Sequence, residues 1–575
     1  MSLTDTNLFT FITVISKMKW MTPKNLLIVV FILIIPTLLP LFKPGFFSTH
    51  DYVNVARIEQ LGAALKEGHF PTRWAPDIRY GEPLFNFYAP LPYYVGALIN
   101  ILGFNFLTTA KILFGLSLVL SAVFMYFFAK EIFGRVGALV STVLYTYAPY
   151  RAVDIYVRGA LSEAWVFVFM PLIFLFAYKL ATGEKRVYTV YLSLSLAGLF
   201  LTHNITTLIL SPFIVGWFLL CIYLFRKFNL IKWYALSGFL GAGLASFYLL
   251  PAFFERELVQ IYRLTTGYFD FRAHFIALGQ LFSTFWGYGA STWGVEDGFS
   301  FQLGAVHWLV IAISLVFLAI FIRKLKKQQI FWFSFFVLSF LLSLFMQHNK
   351  STFIWEAIPI LAFVQFPWRF LGISIFFTSL IGGLLISFFG KKGFLPALAI
   401  VGALVLLNFR YFRPEEYFYN FIDEDYVSHE QILWGNDKTP KDYLPVGVEK
   451  FSEERILEPI VKGGDADIYE FEKRAVRASF EVEAREQSFI EVPITYFPGW
   501  EFRLNGEVRS IEEPSDLGLI LIKIPEGRHR VELKFKDTPI RITGNLLSFS
   551  SLVTLTFLFI KLKNGKKSKI FSIYS

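Results

Sequence analysis

Long uncharged apolar runs recur from one end of this chain to the other, and no other feature constrains the fold as strongly. They occupy residues 25–42, 112–129, 136–149, 164–178, 187–202, 204–225, 233–254, 301–322, 328–346, 370–390, 393–409 and 542–560. A bilayer core needs about 20 apolar residues per helical crossing, and helices satisfy their backbone polar groups internally. Mean hydropathy of +0.53 excludes a large soluble protein with one core. The expected class is an α-helical polytopic membrane protein with about 12 spans. No small-residue cleavage site follows the first run, which is preceded by Lys17, Lys19 and Lys24, so it reads as a retained span.

A further uncharged stretch, 89–110, contains Pro90, Pro92 and Asn100. Charge decides its reading. If it does not cross, five short loops rich in Lys and Arg fall inside, together with the N-terminus and the basic tail from Lys561 to Lys569. If it crosses, all five loops turn outward. The stretch is therefore expected to dip into the outer leaflet. The outward segments are then 43–111, 150–163, a turn at His203–Asn204, 255–300, 347–369 and 410–541.

The last of these differs in composition. Residues 413–541 carry 18 Lys/Arg against 28 Asp/Glu, whereas the whole chain has a net charge of +10. The basic excess elsewhere sits in short loops between apolar runs, as topology demands, and excludes nucleic acid as the natural partner. Within the acidic stretch, Val476, Ala478, Phe480 and Val482 alternate, as do Val531, Leu533 and Phe535. That is a strand pattern. Asn505-Gly506 and Pro525-Glu526-Gly527 are hairpin turns. A β-sandwich-like module outside the membrane is expected. Cys221 is the only cysteine, so disulfides cannot hold the module. The expected division is a transmembrane domain over 1–412, the β-rich module over 413–541, and a last helix with a basic cytoplasmic tail over 542–575.

Ionisable residues gather at the outer ends of the runs, which argues for chemistry at the interface and against a proton relay. Val55, Ile58, Leu61 and Leu65 recur at helical spacing, so 51–66 is expected to form an amphipathic helix at the membrane surface. Asp51, with Ser48 and Thr49, either caps that helix or supplies a carboxylate for chemistry. In YRAVDIYVRGALSEAW, Asp154, Arg158 and Glu163 form either a local salt bridge or an oxygen-rich mouth for a divalent cation. His203 is surplus to what a turn needs, and reads as an interfacial hydrogen-bonding group or a ligand contact. Arg369, in QFPWRF, is either a headgroup anchor or a phosphate clamp, since a guanidinium matches phosphate bidentately.

The order of these features, a first span followed at once by an acid and then a second acidic loop, resembles the glycosyltransferase C (GT-C) superfamily. VRGALSEAW resembles the second acidic motif of the oligosaccharyltransferase catalytic subunit, with Arg158, Gly159, Ser162 and Glu163 in matching order. The first acid is a single Asp51 after His50 instead of a spaced acidic pair. The long first-loop segment from His50 to Gly96, with RGALSEAW, LTHN and QFPWRF, resembles the membrane protein family called 6-pyruvoyl-tetrahydropterin synthase-related. That family is similar to YfhO-type membrane proteins, whose outer C-terminal module Tyr496–Gly506 resembles. The label does not imply a pterin enzyme.

The resemblance implies a GT-C-like membrane domain with a re-entrant first outer loop. It implies an inverting glycosyltransferase in the cell membrane, moving a sugar from a polyprenyl-phosphate-linked donor to an envelope glycan acceptor on the outer face. Asp51 would be the catalytic base and Arg369 the leaving-group clamp. His50, Asp154, Arg158, Glu163 and His203 would bind substrate. A divalent cation, if used, would fall to Asp51 and Glu163. Two other readings stay open: a lipid-linked glycan transporter or flippase, and an envelope-assembly scaffold that has lost catalysis.

Overall fold

The structure is a computed structural model that describes residues 23–183, 185–427, 443–450 and 456–564. The N-terminal Lys17 and Lys19, the tail beyond residue 564 and part of the acidic stretch lie outside the described residues. The chain is mostly helical. Among the described residues, eight helices are long and apolar enough to cross a membrane, nine if the pair Leu230–Leu244 and Ser246–Phe254, bent by 74°, counts as one.

The longest helix, Phe106–Thr146, is broken at Gly134, whose φ of 73° leaves the helical region. Only glycine adopts that angle without steric cost. Past this break the chain packs tightly on the almost wholly buried helix Leu371–Phe388. A Cβ on Gly137 would stand 2.6 Å from the carbonyl oxygen of Gly383. Small residues let the two backbones approach where lipid supplies no hydrophobic drive between helices. Cys221 is buried in the helix Asn204–Phe225.

Within 89–110 the only helix before residue 106 is Leu91–Ile101, of 11 residues. That is short of a crossing. The expected surface helix is corrected in two respects. It spans Asn54–Lys66, and it is sunk into the protein, with Val55, Ile58 and Leu61 fully buried. Its N-cap is Val53, with no side-chain cap, so Asp51 is not a helix cap. Asn54, Arg57 and Gln60 are buried along with the apolar stripe, which is why spacing alone suggested a wet polar face.

The loops assigned to one face by charge do meet. Strand β1 (Phe46–Phe47) pairs antiparallel with β2 (Tyr417–Phe418), joining the first loop to the entry of the C-terminal region. Ile276 N–H donates to Gln347 O, joining the 255–300 and 347–369 loops.

The C-terminal region holds β3 (Ile460–Gly463), β4 (Ala466–Arg474), β5 (Arg477–Ala484), β6 (Ser488–Thr495), β7 (Trp500–Leu504), β8 (Glu507–Arg509), β9 (Leu519–Ile524) and β10 (Gly527–Phe535). They form a five-stranded sheet in the order β4-β5-β10-β7-β8 and a three-stranded sheet in the order β3-β6-β9. The alternation seen in the sequence is the pairing register, with Val531 opposite Phe480 and Leu533 opposite Ala478. Both sheets feed one apolar core, in which Val482, Ile490, Ile522 and Val531 are fully buried. Burial of such side chains, at about 1.5–3 kcal/mol each, stabilises the region without a disulfide.

A second polar cluster fastens this region to the membrane helices. Arg73 donates from Nε to Asp537 at 2.8 Å and from Nη2 to Asn545 at 2.8 Å. Glu255 accepts from Arg541 Nε at 2.9 Å, Asn86 Nδ2 at 2.7 Å and Thr538 Oγ1 at 2.6 Å. The first loop, the end of the bent helix pair and the start of the last helix, Pro539–Asn564, are thereby tied together.

Candidate functional site

The second acidic loop is folded as a π-helical turn, Val153–Val157, directly before the helix Leu161–Thr182. Such turns re-aim side chains and recur at functional sites. This one sets Asp154 and Arg158 side by side, with Arg158 Nη1 donating to Asp154 Oδ1 at 2.6 Å. The same nitrogen donates to Glu163 Oε2 at 2.9 Å and to Tyr150 Oη at 3.2 Å. Tyr150 in turn donates to Glu163 Oε1 at 2.6 Å. Arg158 also lies 4.6 Å over the ring of Trp368, a cation–π contact.

Arg369 reaches the same carboxylate from the other side, with Nε 3.7 Å from Glu163 Oε2. Its Nη1 donates to Val364 O at 2.6 Å and to Gln365 Oε1 at 3.1 Å, while the buried Nε makes no hydrogen bond among the described residues. Gln365 has a φ of 64°, unusual outside glycine. Its amide is held at both ends, since Nε2 donates to Leu264 O at 3.1 Å. Strain of this kind, roughly 1–3 kcal/mol, persists only where surrounding bonds enforce it. Both guanidiniums stay about one tenth exposed, 11% for Arg158 and 10% for Arg369, so the cluster is recessed yet open.

Asp154 is fully buried, and its Oδ2 has no hydrogen-bond partner among the described residues. Burial, then the nearby Glu163 charge, push its carboxyl well above the ordinary range, against the pull of Arg158. Zero exposure corrects the expectation that Asp154 touches substrate; it holds Arg158 in place from behind. His203 takes the hydrogen-bonding role of its two sequence readings. Its Nδ1 accepts from the Thr206 N–H at 3.3 Å and so caps the helix that follows. Burial, then the Arg369 cation, lower its pKa to about 3, which keeps the ring neutral and able to accept.

The segment carrying His50 and Asp51 is laced to this loop by its backbone. His50 N–H donates to Val157 O at 3.0 Å and Asp51 N–H to Arg158 O at 2.8 Å. Asn54 Nδ2 donates to Gly159 O at 2.7 Å. Gly159 has a φ of 65°, and a Cβ there would meet Thr49 Oγ1 at 2.6 Å, so glycine is needed for this approach. The His50 ring is exposed at the rim, with Nε2 2.7 Å from Tyr288 O. The Asp51 carboxylate is 30% exposed and lies 3.5 Å from Nη1 of the buried Arg57. Arg57 is itself stacked 4.1 Å over Tyr88.

Six of the seven residues singled out in the sequence thus line or approach one recess, and Asp154 stands behind it. Sequence reasoning missed Arg57, hidden on a helix assigned a wet face, and Tyr150, which opens the acidic loop it serves. Trp368 was visible only as part of the QFPWRF motif. Among the described residues, no group of three or more His, Cys, Asp and Glu could hold a metal ion. Asp51 and Glu163 therefore lack a third ligand of those types there.

The profile of the 6-pyruvoyl-tetrahydropterin synthase related domain, a membrane protein family, matches residues 85–408. A protein of Lactococcus lactis subsp. cremoris (strain MG1363), called an uncharacterized protein, is 27% identical over 242 residues. The match covers 39% of this chain and 38% of that relative's length.

Proposed function

The chain belongs to the 6-pyruvoyl-tetrahydropterin synthase-related family of membrane proteins, and from that premise we propose an inverting glycosyltransferase that takes sugar from a polyprenyl-phosphate donor. The acceptor is an envelope glycan at the outer face of the cell membrane. The observation that carries this reading is the convergence of Arg158 and Arg369 on the single Glu163 carboxylate, with the Arg369 Nε left without a hydrogen-bond partner among the described residues. Two guanidiniums in a recessed site, one with a donor to spare, are suited to a phosphate.

In the reaction, an acceptor hydroxyl oxygen attacks the anomeric carbon as the carbon–oxygen bond to phosphate breaks. The hydroxyl proton passes to the Asp51 carboxylate, held in position by Arg57. Polyprenyl phosphate leaves with the bond pair, and Arg369 stabilises its charge. A single displacement inverts the anomeric configuration. General-base assistance of this kind contributes about 10²–10⁴-fold.

The reading places twelve spans in the membrane. Beyond the eight membrane-length helices, it divides Phe106–Thr146 at Gly134 and counts the bent pair as one crossing. It also counts the shorter apolar helices Leu27–Phe42 and Tyr188–Phe200. Both termini then lie in the cytoplasm and the β-rich module over 413–541 outside. Cysteine introduced at Asn105 and at Ser515 should react with impermeant reagents from outside; protection of either overturns this orientation.

Envelope glycans compared by mass spectrometry, with and without the gene, test the reaction. A sugar missing from the deletion strain and restored by the wild-type chain is the expected result. An unchanged glycan profile would overturn the transferase reading.

A further inference from the structure

The solvent face of the five-stranded sheet carries a row of cations that its own register disfavours. Arg474 on β4 stands opposite Arg477 on β5, and Arg477 stands opposite Lys534 on β10. Like charges directly opposite one another destabilise an antiparallel pair. Arg474 is relieved by Glu472, 2.7 Å away along its own strand. Arg477 and Lys534 are exposed and have no ion pair or hydrogen bond from their side chains among the described residues. Glu501 on β7 stands opposite Lys534, but its carboxylate is engaged by Arg503 and Lys536.

These side chains line one groove of roughly 420 Å³ on the sheet, which Arg503 and Arg530 extend. Its floor also holds Glu472, Ser479 and Glu532. Arg503 and Lys536 are both paired with Glu501, and Arg530 with Glu532, so the positive charge left over is concentrated at Arg477 and Lys534. The groove therefore offers two kinds of recognition together. Unpaired cations suit phosphate or carboxylate oxygens. Carboxylates and a serine hydroxyl accept hydrogen bonds from the hydroxyls of a sugar or polyol. A chain that alternates anionic groups with hydroxyls can lay the first on the cations and the second on the carboxylates and serine, and a hydrated polyol phosphate has both.

We infer that this groove binds an anionic glycan or polyol-phosphate chain, with the Arg477–Lys534 pair gripping its anionic group. The site stands apart from the Glu163 recess. If the transfer reading holds, it makes the acceptor an anionic polymer; the binding itself requires no transfer.

The test uses the full-length protein in neutral detergent at low salt, without donor. The probes are a poly(glycerol phosphate) hexamer and, as the uncharged control, maltohexaose. The phosphate polymer should bind more tightly than the control. The double variant Arg477→Gln/Lys534→Gln should weaken it by at least about tenfold, equal to 1.4 kcal/mol, with a melting temperature unchanged or raised. Ser479→Arg adds a cation to the groove floor and should tighten binding, which keeps the test decisive should the double variant fold poorly. No preference for the phosphate polymer would overturn the inference. So would binding that ignores all three substitutions. Displacement of the polymer by phosphatidylglycerol vesicles, with vesicle binding lost in the same double variant, would make the partner a membrane surface and equally overturn it.

Discussion

The Glu163 cluster and the cluster around Glu255 are built from the same parts, two arginines and two carboxylates each, and their bonding differs. Around Glu255, Asp537 accepts from Arg73 and Asn545, and Glu255 accepts from Arg541, Asn86 and Thr538. Two cations face two anions, and only Arg541 Nη2 is left without a partner. Around Glu163, the Nε of Arg369 and Oδ2 of Asp154 are both unpartnered, and Asp154 is driven toward neutrality. Closure marks a fastening between regions, whereas a recess with polar atoms left over marks a place for something else. Composition alone does not separate the two.

The comparison is broken or sharpened by substitutions that act on one cluster and spare the other. The largest expected effect is that of Asp51→Asn, at the rim of the open recess. Sugar transfer should fall by two to four orders of magnitude, the usual range for loss of a general base. The melting temperature should hold, because Asp51 does not cap the helix beside it. Transfer at the wild-type rate would remove Asp51 from the chemistry.

Next in size is Glu255→Gln in the closed cluster. It leaves buried Arg541 facing an amide, and breaking a buried pair from one side costs about 3–5 kcal/mol. Thermal unfolding in detergent should show that loss, while transfer per folded molecule stays unchanged. A loss of turnover without a loss of stability would mean that the fastening belongs to the site. Arg369→Lys comes third. An ammonium cannot make a planar two-pronged contact, so transfer should drop by roughly tenfold or more. Full activity would reduce Arg369 to a headgroup anchor.

The smallest effect concerns Asp154. Its folded carboxyl holds its proton above the ordinary 3.8. The stability that this contributes is present below about pH 4 and is lost as pH rises through the raised value. Asp154→Asn should flatten that decline and shift stability at low pH by less than about 1 kcal/mol. An equally steep decline in the variant would show that Asp154 is charged in the fold.

Much of the architecture is written in local patterns. Apolar runs mark the membrane-length helices because each must bury or face lipid along its whole length. The alternation at Val476–Val482 and Val531–Phe535 became β5 and β10 because one sheet face is wet and the other dry. Asn505 and Gly506, both at positive φ, turn β7 into β8 as their dipeptide suggests. What stayed hidden depends on partners distant in the chain. Nothing local says that Arg73 will meet Asp537, or that Phe46–Phe47 will pair with Tyr417–Phe418. Of the site, the acids and Arg369 were legible because charges at the ends of apolar runs are conspicuous. Arg57 and Tyr150 were not, since a helix period and an aromatic residue have ordinary explanations. His203 was legible as a hydrogen-bonding group, but its part as a cap is recognised only once the helix start is known.

The central claim is that the Glu163 recess holds the phosphate of a polyprenyl carrier. It is tested most directly by native mass spectrometry of the full-length protein with polyprenyl phosphate that bears no sugar, which isolates phosphate binding from sugar chemistry. Wild type and Glu255→Gln should bind one molecule alike. Arg369→Ala should bind it roughly 10- to 100-fold more weakly, as expected for loss of a charge-assisted contact. Equal affinity in wild type and Arg369→Ala would contradict the claim.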